Sequence, residues 1–293
     1  MRNIKPGDVV GRKSYNCDVF FKVIEFFIND SGKNYAYLKG LNLRLCASAP
    51  EEDLVRIEPS ALTKNLLEQA KSNNEHMKRI FSRRVREREI ILGRVVPKER
   101  GKGPLDGFDI PGTVLHIDGD SDYLDLCLTT YRQLSIPANG YCIEEARQPE
   151  MIEALLNKHN PDLLVITGHD GFIKGRVNFS DINNYHSSKY FVEAVKAARR
   201  YEKSRDDLVI FAGACQSHYE SILAAGANFA SSPQRVMIHA YDPVFVVEKI
   251  SYTSIYDRIS IKDIITGTIT GIDGIGGMET RGKYRMGIPR SPY

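Results

Sequence analysis

Two short apolar runs, each ending in glycine, constrain the fold of this chain most strongly. Residues 163–168 lead directly to His169, and residues 208–213 lead to Cys215 two positions later. Runs of this length, rich in Leu, Val and Ile, are typical of parallel strands that helices cover on both faces. Because functional groups gather beyond the carboxyl ends of such strands, the sequence predicts a site that contains both side chains.

The second half of the chain alternates between strand-like and helix-like segments. Strands are predicted at residues 113–118, 138–143, 163–168, 208–213 and 235–239, and helices at residues 124–134, 151–159, 190–203 and 220–225. This alternation predicts an α/β domain over residues 112–293, with a parallel sheet flanked by helices. The glycines between residues 267 and 277 indicate exposed or mobile loops.

Two further regions precede this domain. Residues 1–58 contain short strands separated by turn signals, which predicts a small SH3-like β-barrel domain. Residues 59–111 combine an amphipathic helix with an arginine-rich linker. The glycines and prolines of residues 97–112 place the domain boundary in that linker.

Positive charge is concentrated in the same region. The net charge is only +3 at pH 7, but residues 78–102 carry ten basic and three acidic side chains. Such a band contacts nucleic acid or an acidic surface in some proteins and forms a solvated helix face in others. We favour the solvated face and keep nucleic-acid binding as an alternative.

The cysteines are typical of a protein from a reducing compartment. The five lie far apart, at Cys17, Cys46, Cys127, Cys142 and Cys215. Their odd number and wide spacing argue against a disulfide framework and a zinc site. A secretory signal and an apolar run of roughly 20 residues are both absent from the sequence, so we expect a cytosolic protein without a membrane partner. No metal or organic cofactor is predicted.

His169 and Cys215 form a candidate base and nucleophile. A helical pattern follows Cys215, so the thiol is predicted at a helix N-terminus, where the dipole and backbone N–H groups favour the thiolate. The backbone N–H groups of Cys215 and Gly171 are candidates for an oxyanion hole. Taken singly, a cysteine or histidine after a strand is more often structural, and their joint placement supports catalysis.

His218, three residues after Cys215, opens two other interpretations. The Cys-x-x-His spacing suits a metal site, but a zinc site needs about four ligands and the sequence offers no second pair. His218 could instead orient or replace the base, since residues three apart share a helix face. A serine nucleophile elbow would need the pattern G-x-S-x-G, which the sequence lacks.

The chain resembles known families at two levels. The two apolar blocks ending at histidine and cysteine resemble the caspase-like cysteine peptidases (caspases, legumain, gingipain and clostripain), from which the chain departs by placing Asp170 between His169 and Gly171. Residues 4–15, 41–49, 166–171 and 212–218 more closely resemble the YabG family of sporulation-specific peptidases, nearly over the whole chain. His169 and Cys215 match that family's catalytic pair.

The YabG resemblance implies a cysteine endopeptidase of the mother-cell compartment that trims spore coat and cortex-associated proteins. It further implies cleavage after arginine and cleavage of the peptidase itself. Protein substrates are therefore the expected partners, with no nucleic acid. The exposed arginine-rich stretch at residues 83–100 is the predicted place for self-cleavage.

Arginine specificity requires an acid in the pocket, because a buried guanidinium must be paired. Asp118 and Asp120 are the first candidates, since both follow the first predicted strand, and Asp242 is the next. The alternative function is a regulator that binds nucleic acid or a protein scaffold through the β-barrel and the basic helix. That alternative leaves His169 and Cys215 unexplained, and the sequence does not indicate an oligomeric state.

Overall fold

The computed structural model describes residues 4–29, 31–95 and 107–288. The chain divides into two compact units, Met1–Arg79 and Ile80–Tyr293, and the division falls within one long helix. Each unit has its own core.

The N-terminal unit is an antiparallel sheet of five strands. They are β1 Val9–Arg12, β2 Phe21–Ile28, β3 Asn34–Gly40, β4 Cys46–Pro50 and β5 Leu54–Arg56. Their order across the sheet is β4-β3-β2-β1-β5. Val10, Phe21, Val23, Leu38 and Leu54 form its buried core. The predicted strand-rich module is confirmed, and its closure into an SH3-like barrel stays a prediction.

Helix α1 (Pro59–Val95) contains much of the basic band. Within the second unit, Arg83 and Arg84 both bind the buried carboxylate of Glu248, each with a contact of 2.7 Å. Arg88 and Arg94 also lie within 3.1 Å of carboxylate oxygens. These ion pairs give the arginines a structural role. Residues 96–106 of the predicted linker lie outside the described residues.

The second unit contains the remaining strands and helices. The strands are β6 Phe108–Ile110, β7 Val114–Asp118, β8 Ala138–Cys142, β9 Leu163–Thr167, β10 Val209–Ala212, β11 Phe229–Ser231, β12 Arg258–Ile259, β13 Ile275–Gly277, β14 Thr280–Arg281 and β15 Arg285–Gly287. The helices are α2 Ser121–Gln133, α3 Gln148–His159, α4 Ser188–Tyr201, α5 Tyr219–Ala225, α6 Asp242–Tyr252 and α7 Ile261–Thr266.

Six strands form the central sheet, in the order β13-β11-β10-β9-β7-β8. All adjacent pairs are parallel except β13 with β11. Strands β7, β9 and β10 are buried along their whole length. The mostly apolar sequences of β9 and β10 are typical of strands covered on both faces, whereas β7 also buries His116 and Asp118. Helices α3 and α4 pack on one face, where Leu115 and Ile117 point, and α2 receives the opposite-facing His116. The predicted α/β sheet flanked by helices is confirmed.

Two predictions in this unit were wrong. Residues 235–239 do not form a strand, because Ser232 and Arg235 adopt φ of 64° and 56° and turn the chain away from the sheet edge. The next strand is β11, a few residues earlier. The glycine-rich segment predicted as loops supplies β13, where a Cβ on Gly277 would lie 2.3 Å from the Asn228 carbonyl oxygen. Glycine there allows the two backbones to approach.

Membrane crossing requires a helix that is both long and apolar. Across residues 4–29, 31–95 and 107–288, every helix falls short of that combination.

Candidate active site

The parallel pairing of β9 and β10 brings the two predicted catalytic residues to the same sheet edge. Ile166 pairs with Ala212, and His169 and Cys215 each lie three residues beyond these partners. The Gly213 N–H donates to the Ile166 carbonyl oxygen at 3.0 Å and continues the register past the end of β10. The loops that carry the two residues therefore leave neighbouring strands side by side.

Asp170 fastens these two loops to each other. Its carboxylate accepts hydrogen bonds from the Ser217 hydroxyl at 2.9 Å, from the Ser187 N–H at 2.7 Å and from the Ser188 hydroxyl at the start of α4. Burial raises the pKa of Asp170, and these donors oppose that effect. The residue that departs from the caspase-like pattern is thus a connection between the histidine loop, the cysteine loop and α4.

Cys215 is buried beneath the segment that follows β11. The Ile238 N–H donates to the Cys215 sulfur at 3.2 Å, and 1% of the residue is exposed. The predicted helix begins only at Tyr219, with His218 as its N-cap, so Cys215 lies four residues before it. Cys215 is therefore not at a helix N-terminus, and the prediction that a helix dipole stabilises its thiolate was wrong. The donor that would stabilise a thiolate is the Ile238 N–H.

The backbone around Cys215 is held in unusual conformations. Gly213 has φ of 111°, which favours glycine, and Gln216 has φ of 56° despite its side chain. The Gln216 N–H donates to the Val236 carbonyl oxygen and to the Ser232 hydroxyl, both at 3.1 Å. Such conformations persist only where surrounding contacts enforce them, and they concentrate at functional sites.

His169 lies between two carboxylates. Its Nε2 is 3.4 Å from Asp120 Oδ2, and its Nδ1 is 3.8 Å from Glu145 Oε1. Glu145 also accepts the backbone N–H of His169 at 2.6 Å. The Tyr123 ring lies 5.8 Å from the imidazole, centroid to centroid. From the sequence, Asp120 was predicted only as a pocket acid, and no sequence signal indicated Glu145.

Asp118 belongs to a buried hydrogen-bond chain beneath the site. Thr167 donates its hydroxyl proton to Asp118 at 2.8 Å, so His116 Nε2 donates to the Thr167 oxygen, and in the neutral imidazole Nδ1 accepts from Tyr131. Asp118 also accepts the Asp120 N–H at 3.0 Å. This chain fixes the turn that presents Asp120, and it leaves Asp118 fully buried.

Asp242 is likewise buried and engaged. It accepts hydrogen bonds from the N–H groups of Ile269 at 2.7 Å and His239 at 3.1 Å, and from the Thr270 hydroxyl. Burial raises the pKa of the Asp242 carboxyl, and these donors oppose the change. The first turn of α6 is thereby tied to the loop after α7.

Gly171 and His218 both have local partners. The Gly171 N–H, predicted as an oxyanion donor, donates to Asp170 Oδ1 at 2.9 Å. His218 Nδ1 accepts from the Ser221 N–H at 3.3 Å, and Nε2 lies 3.1 Å from the Ser180 carbonyl oxygen. Nε2 therefore carries the proton, and His218 acts as the N-cap of α5.

Metal binding would require several convergent ligands. In the part of the chain that the structure describes, no three His, Cys, Asp or Glu side chains are grouped so as to hold a metal ion.

Comparison with known proteins identifies relatives over nearly the entire chain. The profile of a family described as YabG peptidase U57 matches residues 5–289. The sporulation-specific protease YabG of Bacillus subtilis (strain 168) is 42% identical over 285 residues, which cover 97% of this chain and 97% of that protein. No solved structure matches the chain.

Proposed function

The chain belongs to the YabG peptidase family, and from this premise we propose that it is a cysteine endopeptidase with Cys215 as nucleophile and His169 as base. One observation carries the assignment of these residues. Both lie three positions beyond the paired residues Ile166 and Ala212 of adjacent parallel strands. Membership makes the chain a peptidase, and the paired strand ends supply the residue types that a thiol mechanism needs.

The proposed reaction proceeds through a thioester. His169 accepts the thiol proton, and the Cys215 thiolate attacks the peptide carbonyl carbon to form a tetrahedral oxyanion that the Cys215 N–H binds. The C–N bond then breaks as His169 returns the proton to the departing amine. Water, deprotonated by His169, hydrolyses the thioester and releases the carboxylic acid and the thiol. Gly171 would join the oxyanion hole only if its N–H left Asp170.

We assign recognition of arginine to Asp120. Asp118 and Asp242 have no exposed surface from which to reach a substrate guanidinium, whereas the hydrogen bonds that Asp120 accepts as the N-cap of α2 occupy only its Oδ1. The Asp120 side chain retains 11% exposure and lies beside His169. A carboxylate at that place can pair with a substrate guanidinium without a new buried, unpaired charge.

We infer the cellular role from the family to which the chain belongs. The Bacillus subtilis relative is described as sporulation-specific, which supports a role in sporulation. We propose that the substrates are spore coat and cortex-associated proteins and that the chain acts in the mother-cell compartment. We further propose that residues 112–293 form a caspase-like catalytic domain, that residues 1–58 form an SH3-like module, and that residues 59–111 connect them.

Hydrolysis and alkylation test the cysteine mechanism and the arginine preference together. Under reducing conditions we expect an arginyl-amide peptide to be cleaved on the order of 10² times faster than its neutral citrulline counterpart. Iodoacetamide should abolish turnover, with the label mapped to Cys215 by mass spectrometry. The exposed Cys142 is the competing target, so the Cys142→Ser variant serves as control. Inactivation that depends on Cys142, or turnover that resists alkylation, would contradict the proposal.

Self-cleavage is expected in extended backbone, since a peptidase cleft binds its substrate as a strand. Residues 83–94 lie in α1, where Arg83 and Arg84 are bound to Glu248 while Arg86 and Arg94 are exposed as predicted. The rest of residues 83–100 is almost entirely outside the described part of the chain. Intact-mass analysis after incubation should show termini that follow an arginine outside α1. A terminus created within residues 83–94 would disprove this placement.

A further inference from the structure

We propose that Glu145 is a positioning residue that orients the His169 imidazole and stabilises its protonated form. This inference rests on the proposed role of His169 as the base. Glu145 lies at the start of the 3-10 turn Glu145–Arg147, between β8 and α3, and thus far in sequence from both candidate catalytic residues. Neither its position nor its residue type stands out in the sequence.

The contacts of Glu145 converge on His169. One oxygen, Oε1, accepts the His169 N–H at 2.6 Å and lies 3.8 Å from the imidazole Nδ1. The same oxygen therefore fixes the backbone and faces the ring of one residue. The side chain of Glu145 is 14% exposed, so water screens its charge less than at the surface.

Two glycines form the slot that holds this carboxylate. Gly119 directly follows β7, and Gly168 directly follows β9. A Cβ added to either glycine would lie 2.2 Å from Glu145 Oε1. The clashing atoms belong to the end of a flexible side chain, so alanine at either position would displace the carboxylate and leave the strands in place. Glycine at two adjacent strand ends thus makes room for one acid.

The electrostatic consequence concerns the imidazolium that forms when Cys215 loses its proton. Negative charge from Glu145 near Nδ1 and from Asp120 near Nε2 stabilises that cation. Other titratable groups on the elements around the ring include Asp118, Tyr123, Cys142, Asp170 and Cys215, together with Asp122, Asp125, Tyr141 and Arg147. The Cys142 thiol responds to the same negative field, because partial desolvation and then the carboxylates of Asp118, Asp120 and Glu145 raise its pKa.

The test measures the titration of His169 by NMR in a Cys215→Ala background, where no thiol is coupled to the ring. We expect Glu145→Gln to lower the His169 midpoint by roughly one pH unit, because the amide still accepts the backbone N–H but carries no charge. Gly168→Ala should lower it in the same direction by displacing Glu145. The control Glu150→Gln, at an exposed position on α3, should leave it unchanged.

In the enzyme with Cys215 present, Glu145→Gln should lower kcat on the order of 10²-fold with a smaller change in KM. The pH limb that reports loss of the His169 proton should shift to lower pH.

An unchanged His169 midpoint in both Glu145→Gln and Gly168→Ala would overturn the inference. The inference would also be overturned if Glu145→Gln left the His169 midpoint unchanged and removed the preference for arginine. That result would make Glu145 a pocket acid. The titration requires no turnover. Activity that survives Cys215→Ala would instead contradict the proposed cysteine-peptidase function. Failure of the Glu145 inference and failure of the proposed function therefore give different results.

Discussion

Replacing Cys215 with alanine is expected to lower kcat for an arginyl-amide peptide on the order of 10⁴-fold or more. Removal of a nucleophile eliminates the covalent route, and the residual rate comes from substrate binding and oxyanion contacts alone. The measurement is steady-state turnover of purified protein under reducing conditions, with the thermal unfolding midpoint recorded for each sample.

Cys127→Ala provides the matched control for this substitution. Cys127 is also a buried cysteine of the second unit, and its sulfur lies 3.5 Å from the Ala240 carbonyl oxygen, whereas that of Cys215 contacts the backbone of Ile238. Both substitutions remove a buried sulfur and should cost about 1 kcal/mol of unfolding free energy. Only Cys215→Ala should abolish turnover. Equal activity of the wild type and Cys215→Ala would eliminate Cys215 as the nucleophile.

The strands that carry the site could be predicted because their sequences permit little else. Residues 163–166 and 209–212 are apolar throughout, and strands β9 and β10 are buried at every position. The parallel register of two such strands then places His169 and Cys215 at one edge. A local sequence pattern was sufficient to predict these strands, because a strand buried on both faces has apolar residues at consecutive positions.

Glu145 and the segment over Cys215 could not be predicted, because contacts distant in sequence determine both. Glu145 and His169 are 24 positions apart, with α3 and β9 between them, and only the fold brings the two residues together. Residues 235–239 look like a strand, yet positive φ at Ser232 and Arg235 directs Ile238 onto the Cys215 sulfur. Apolar composition cannot distinguish a sheet strand from a segment that covers a site.

Replacing Asp120 with asparagine is expected to remove the preference for arginine. The carboxylate would otherwise form a charge-assisted pair with the guanidinium, and its loss should reduce kcat/KM for the arginyl peptide by about 10²-fold or more. Asparagine is chosen because it is as good an N-cap as aspartate. The N-cap hydrogen bonds from the Asp122 and Tyr123 N–H groups to position 120 should therefore persist, and α2 should remain folded.

The ratio of arginyl to citrullinyl turnover isolates specificity from catalysis. Asp120 also lies 3.4 Å from His169 Nε2, so its replacement can slow both substrates, but that effect cancels in the ratio. In Asp120→Asn the ratio should approach one. In Asp118→Asn and Asp242→Asn, where buried hydrogen bonds are lost, stability should fall and the ratio should remain high. A ratio that remains high in Asp120→Asn would exclude Asp120 as the arginine-binding acid. Loss of the ratio in Asp118→Asn or Asp242→Asn would instead assign arginine binding to the residue replaced.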